Sequence, residues 1–153
     1  MKTLFDFIVE SNAIEGIPLP PTGTEAMAHD RFLKQGQISI EDLEGFVRVV
    51  AGAKLRDASG MNVRVGSHVP RAGGYGVVLE LHEILARANG WRSGKRIPSW
   101  SPWAVHTDYE NLHPFMDGNG RSGRALWLWM HGGEAPIGFL HRFYYETLRE
   151  ARQ

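Results

Sequence analysis

The chain has 153 residues, seventeen of them basic and seventeen acidic, and no cysteine. That length predicts one domain able to bury a real core, and the balanced charge leaves no global field to draw in nucleic acid or an anionic membrane. Without cysteine there is neither a disulfide framework nor a zinc–thiolate site; Asp6 and Glu10 interrupt the N-terminal stretch where a signal peptide would be apolar, no stretch is fit to cross a bilayer, and the cytoplasm is the expected location.

In chain order the pattern predicts mostly helix. Leu4, Phe5, Ile8 and Val9 recur at helical spacing. A helix from about residue 3 would stop at Gly16, with Pro18 beyond it. On this helix Ser11 and Glu15 lie one turn apart on one face. A proline-rich connection at 17–21 leads to a helix over 24–34 and then to one over 39–58. Ser39 can cap the latter with Asp42 three residues on, and Leu43, Phe46, Val47, Val50 and Leu55 supply its apolar stripe. Residues 61–78 break the helical period. Valines 63, 65, 69, 77 and 78 are interspersed with Gly66, Pro70, Gly73 and Gly74, which predicts a β-hairpin or flap.

A helix over about 77–88 follows, and then a loop carrying Arg92, Lys95 and Arg96 among Trp91, Trp100 and Trp103. Basic side chains among tryptophans can serve as a nucleic-acid platform, but three charges on one loop read better as a solvated connection. Pro102 begins a helix to about Leu112, and a further helix ends near 131–133. Trp127 and Trp129 fall on different faces of that helix. A last helix is expected over about 138–151. His106 lies seven residues before His113, yet no third ligand at convincing spacing supports a metal site. His82-Glu83 lacks the second histidine of a zinc-protease motif, so both read as ordinary helix residues.

The chemistry concentrates in residues 113–124, His-Pro-Phe-Met-Asp-Gly-Asn-Gly-Arg-Ser-Gly-Arg, just before the apolar run 125–130. A loop entering a helix here has the helix's unpaired N–H groups and positive dipole end. Gly118 and Gly120 can take positive φ and turn successive N–H groups into an anion nest, and Asn119 suits the same conformation or a cap. Arg121 and Arg124 are three apart on one face, and each guanidinium matches phosphate oxygens with two parallel bonds. Asp117 beside a polyphosphate would repel it unless Mg²⁺ lies between them. His113 is mostly neutral at cytoplasmic pH, as a general base must be. Phe115 anchors the loop. Each of these residues alone reads as part of a charged turn. Together they fill the separate requirements of one reaction.

This stretch resembles, at every position, the signature of the Fic family, His-Pro-Phe-x-(Asp/Glu)-Gly-Asn-(Gly/Lys)-Arg-x-x-Arg. The resemblance implies a mainly α Fic fold, a compact helical bundle with a β-hairpin flap at 61–78 beside the active-site loop. It implies transfer of AMP from ATP to a Ser, Thr or Tyr hydroxyl of a target protein, or of the chain itself, with pyrophosphate leaving. In these terms His113 takes the hydroxyl proton, and Asp117 holds Mg²⁺ bridging the α- and β-phosphates. Gly118, Asn119 and Gly120 form the nest, Arg121 holds the inner phosphates and Arg124 the γ-phosphate. A related toxin subgroup has Lys at the position of Gly120 and transfers a terminal phosphate, so Gly120 argues for nucleotidyl transfer.

Residues 11–16, Ser-Asn-Ala-Ile-Glu-Gly, resemble the family's inhibitory motif, (Ser/Thr)-x-x-x-Glu-(Gly/Asn). By that resemblance 1–16 is an inhibitory helix whose Glu15 pairs with Arg124 and denies it the γ-phosphate. The flap is expected to clamp the target segment, with 61–66 as the edge that takes an extended peptide. Tyr144-Tyr145 is similar to the family's Arg-x-x-Tyr-Tyr element, which implies that one of the two lies near the nucleotide base, with core packing of the last helix as the alternative. The whole of 1–153 therefore reads as a single Fic domain, with no membrane or nucleic-acid partner expected and oligomerisation left open. Two enzymatic alternatives stand beside this reading: removal of AMP from modified proteins with Glu15 assisting water, and transfer from another donor such as UTP or GTP. A nucleotide-dependent binding module has no need of His113 or Asp117.

Overall fold

The computed structural model describes residues 4–133. Within them lie six α-helices, α1 (Leu4–Ile14), α2 (Gly23–Leu33), α3 (Ile40–Val50), α4 (Tyr75–Arg92), α5 (Pro102–Leu112) and α6 (Asn119–Met130), with a 3-10 turn at Pro98–Trp100. The chain is mainly α, as expected. The helix expected at 138–151 and Tyr144-Tyr145 lie outside the described residues.

The architecture is organised around α6. Eleven of its twelve residues are buried, with Gly120 as the exception, and α1, α2, α3, α4 and α5 all pack against it. A helix buried all round is the centre of a core. Two apolar clusters meet on it. The larger joins α2 through α6 and includes Phe32, Phe46, Leu81, Tyr109, Phe115 and Trp129. The smaller is Phe7 and Ile8 of α1 with Trp127 and Leu128 of α6. The two tryptophans therefore face different partners: Trp127 seats α1, while Trp129 Nε1 donates to the Gln35 carbonyl at 2.8 Å.

Local chemistry explains three of the helix starts. Thr22 and Glu25 form a reciprocal capping box on α2, and Ser39 and Asp42 form one on α3. Ser101 caps α5, with Pro102 in its first turn. Two expectations need correction. Helix α3 ends at Val50, well short of 58, because Gly52 takes φ +63 and its N–H turns back to the Val47 carbonyl at 3.0 Å. Leu55, expected on the α3 stripe, instead bridges Phe115.

The flap differs as well. Among the described residues its pairing is one antiparallel bridge, Val65 with His68, closed by two hydrogen bonds of 2.9 Å. Its arms are held by side chains rather than by a ladder; Asn62 Oδ1, for instance, accepts from the Gly73 N–H at 2.9 Å. Residues 77 and 78 belong to α4, where Val77, Leu81, Ile84, Leu85 and Ala88 form a buried helical stripe.

The basic loop is partly consumed within the molecule. Arg92 lies over the Trp129 ring and donates to the Trp129 carbonyl, and Arg96 lies 4.6 Å from the Trp91 ring centroid. Among the described residues no helix is long and apolar enough to cross a membrane.

Candidate active site

The loop from His113 to Gly118 is pinned at both ends. His113 terminates α5 at φ 51, ψ 65, and is the only described residue other than glycine with positive φ. Its ring Nδ1 lies 2.6 Å from the Glu110 carbonyl oxygen. A carbonyl only accepts, so Nδ1 carries the hydrogen, and in the neutral ring Nε2 holds the lone pair. That is the tautomer a base acting through Nε2 requires.

Phe115, fully buried, anchors the middle of the loop. On either side the backbone pairs with 54–56: Arg56 N donates to Pro114 O at 2.8 Å, and Met116 N to Lys54 O at 2.9 Å. The Asn119 carboxamide clamps Phe115, accepting from its N–H and donating to its carbonyl, both at 2.8 Å. Asn119 is thus a loop brace in the first turn of α6, with no positive φ.

The anion nest is simpler than two alternating left-handed glycines. Gly118 has φ +78, but Gly120 is helical. The candidate phosphate site is therefore one left-handed turn followed by the first-turn N–H groups of α6, which have no partner within the helix. Gly120 matters for a different reason. A Cβ there would overlap Glu15 Oε1 and come within 3.0 Å of Arg124 Nη1.

Arg121 and Arg124 part company despite their shared face. Arg121 is buried, and its Nη1 donates to the Val50 carbonyl at 2.6 Å. The last carbonyls of α3 need donors and form the negative end of its dipole, so a nearby guanidinium is drawn to them. It does not reach over the nest as expected. Arg124 turns to α1: Nε donates to Ser11 Oγ at 2.8 Å, and Nη2 donates to the Ser11 carbonyl at 3.0 Å and to Glu15 Oε1 at 2.7 Å. Glu15 lies just beyond the last residue of α1, in the turn that closes the helix. The Arg124 side chain is 1% exposed and that of Glu15 36%.

A cavity of about 380 Å³ collects the chemistry. It is lined by Glu15, the flap residues Val63, Arg64 and Val65, and by His113 and residues 116–120 of the loop and first turn of α6. Asp117 is exposed on it, with Oδ1 accepting from the Gly118 N–H at 2.7 Å. Among the described residues no three His, Asp or Glu side chains converge as a metal cage. A lone carboxylate at a helix N-terminus suits Mg²⁺, which takes most of its ligands from phosphate and water.

Several supporting residues were not singled out from the sequence. Arg56 is fully buried and donates to four backbone carbonyls. Tyr109 shares a 2.6 Å hydrogen bond with Ser122, and burial raises its hydroxyl pKa. His29 stands edge-on to Phe46, and burial lowers its pKa to about 4. For His29 the only signal was its place on the inner face of α2. His106, which the sequence does not support as a metal ligand, donates from Nδ1 to the Gly123 carbonyl at 3.0 Å and so ties α5 to α6.

Residues 77–131 match the Fic/DOC family. The chain is 32% identical over 118 residues to the protein adenylyltransferase Fic of Culex quinquefasciatus, a match covering 71% of this chain and 22% of that protein. It is 31% identical over 118 residues to the Aedes aegypti protein of the same name, with the same coverage of 71% and 22%. For the Drosophila persimilis protein the figures are 32% over 99 residues, 61% of this chain and 18% of that one. The chain belongs to the Fic/DOC family. It spans about a fifth of the length of these curated relatives.

Proposed function

We propose that this chain transfers AMP from ATP to a Ser, Thr or Tyr hydroxyl of a target protein, and that Glu15 restrains the reaction. One observation carries this reading: a single cavity is lined by His113, Asp117, the N-terminal turn of α6 and the carboxylate of Glu15. The α6 N-terminus receives the phosphates of ATP. His113 Nε2 takes the proton from the target hydroxyl as its oxygen bonds to the α-phosphorus, and the bond to the β-phosphate breaks with pyrophosphate leaving. Asp117 would hold Mg²⁺, which when bound offsets phosphate charge. The flap, through 63–65, borders the place where the target hydroxyl enters. Such transfer rests mainly on positioning and charge stabilisation, which a braced loop provides.

Glu15 and the γ-phosphate are two anions competing for the Arg124 guanidinium. A hydrogen bond to a charged group contributes about 1.5–3 kcal/mol, and each ~1.4 kcal/mol corresponds to tenfold in rate. Releasing Glu15 should therefore raise transfer roughly ten- to a hundredfold. Glu15 also supports a second reading, AMP removal with Glu15 orienting water, since it lines the same cavity as His113.

The test is labelling with ATP radioactive at the α-phosphate, with Mg²⁺, alone and with cell lysate. Glu15→Gly should label protein, its own band included if the chain modifies itself; wild type should label little and His113→Ala not at all. If no variant labels although ATP binds, transfer from ATP is wrong, and UTP, GTP or an AMP-modified substrate is the next trial. Release of AMP by wild type but not by Glu15→Gln would favour removal.

A further inference from the structure

We propose that Arg56 is a positioning residue for this reaction, holding the base His113 and both arms of the flap in one register. The inference rests on the transfer reading above, but its geometry stands independently. Arg56 has no exposed surface. Its Nε donates to the His113 carbonyl at 2.6 Å and its Nη2 to the Leu112 carbonyl at 2.7 Å. Its Nη1 donates to Met61 O at 3.1 Å and Arg71 O at 2.8 Å. The first two acceptors end α5, where the helix dipole is negative. The other two flank the segment whose residues Val63, Arg64 and Val65 line the cavity. Its backbone adds a 2.8 Å bond to Pro114 O and accepts from Gly74 N at 2.9 Å.

Arginine suits this task and lysine does not. A planar guanidinium offers five donors in fixed directions and reaches acceptors on two sides, whereas an ammonium is a compact point charge. The conformation being held is uncommon. A non-glycine residue at positive φ costs free energy and persists where its surroundings over-determine it. For His113 those surroundings include the Nδ1 bond to Glu110 O and the Arg56 bond to its own carbonyl. One side chain thus fixes where the base sits relative to the flap that borders the target's entry.

The test uses Arg56→Lys, alone and in the Glu15→Gly background, with kcat, KM, ATP affinity by calorimetry and the imidazole ¹⁵N signals of His113. A base displaced by about 1 Å costs on the order of a hundredfold in rate. We expect kcat to fall by about that factor while ATP affinity stays within about threefold, and the His113 signals to move away from the Nδ1–H form. A kcat within about twofold of the parent with unmoved His113 signals overturns the proposal. So does a parallel loss of kcat and ATP affinity, which marks a merely structural role.

Gly73→Ala provides a second handle should Arg56→Lys fail to fold. A Cβ at residue 73 would overlap the Met61 carbonyl that Arg56 holds. If Arg56 couples flap to base, the His113 signals shift in Gly73→Ala; if they do not, the coupling is absent. These spectra need no turnover, so failure of Glu15→Gly to transfer AMP would count against the transfer reading and leave the register separately tested.

Discussion

Two junctions meet at the candidate active site, and they are built differently. Where α1 meets α6, a half-exposed carboxylate bonds to a buried arginine, backed by a separate four-residue apolar cluster. Where the flap meets the loop, a fully buried guanidinium bonds to backbone carbonyls within the main body of the fold. The first junction can open by moving one short helix, with the larger core left intact. The second cannot open without taking hydrogen bonds from a fully buried guanidinium, at about 1.5–3 kcal/mol each. On the proposed reading, the restraining contact lies at an edge formed by one short helix, and the proposed base lies in the main body of the fold.

The sharpest way to break this comparison is Arg124→Ala. It should remove restraint and transfer together, leaving activity on the order of 10²–10³-fold below that of the released Glu15→Gly variant, as for loss of a charge-stabilising group. Adding it to Glu15→Gly should abolish the gain of the single variant. Turnover in Arg124→Ala at the level of Glu15→Gly would show that this arginine does not hold the γ-phosphate.

Phe7→Ala tests whether the small cluster seats α1. Phe7 is fully buried beside Trp127 and Leu128, and truncating such a phenylalanine costs about 3–5 kcal/mol. If the junction is detachable, hydrogen exchange should quicken in α1 before the rest of the chain, and labelling should rise several-fold above wild type. Uniformly faster exchange with no gain in labelling would mean that the two junctions unfold as one.

A smaller effect follows from His29, which stands 6.2 Å from the Phe7 ring and 4.7 Å from the Phe46 ring, edge-on to both. Burial lowers its pKa from 6.5 to about 4, so the unfolded chain binds the proton more readily than the folded one. Its contribution to stability is full above about pH 6.5 and is lost as pH falls toward 4, by roughly 3 kcal/mol. His131, also lowered by burial, acts in the same direction. Denaturant melts between pH 7 and pH 4 should show this loss, and His29→Gln should flatten it. An unchanged slope in His29→Gln would assign the acid sensitivity elsewhere.

Local chemistry made much of this legible. Ser39 with Asp42, and Pro102 at the start of α5, act within a few residues, so the α3 and α5 starts could be read directly. Residues 113–124 were legible as a set because the stretch matches the Fic signature at every position, although the side chains of Asn119 and Arg121 turned out to bond to backbone. The misreadings came where local pattern met a distant partner. The valines of 61–78 read as a hairpin, but only Val65 and His68 bridge, and 77–78 join α4. Helix α3 was read through Gly52, whose left-handed turn ends it.

The sequence by itself determined that the chain is mainly helical, that it carries the Fic signature, and that Ser11 and Glu15 lie about one turn apart at the end of the first helix. The family resemblance implied the pairing of Glu15 with Arg124, whereas the contacts of Arg121 and Arg56 were decided only by the tertiary structure. Arg124 meets Glu15 from 109 positions away, Arg121 turns to Val50 from 71, and Arg56 reaches His113 across 57. Among these three partners only Glu15 has a side chain that could have suggested the pairing. The other two are backbone carbonyls, which every residue possesses, so no pattern of side chains marks which of them a buried arginine will reach.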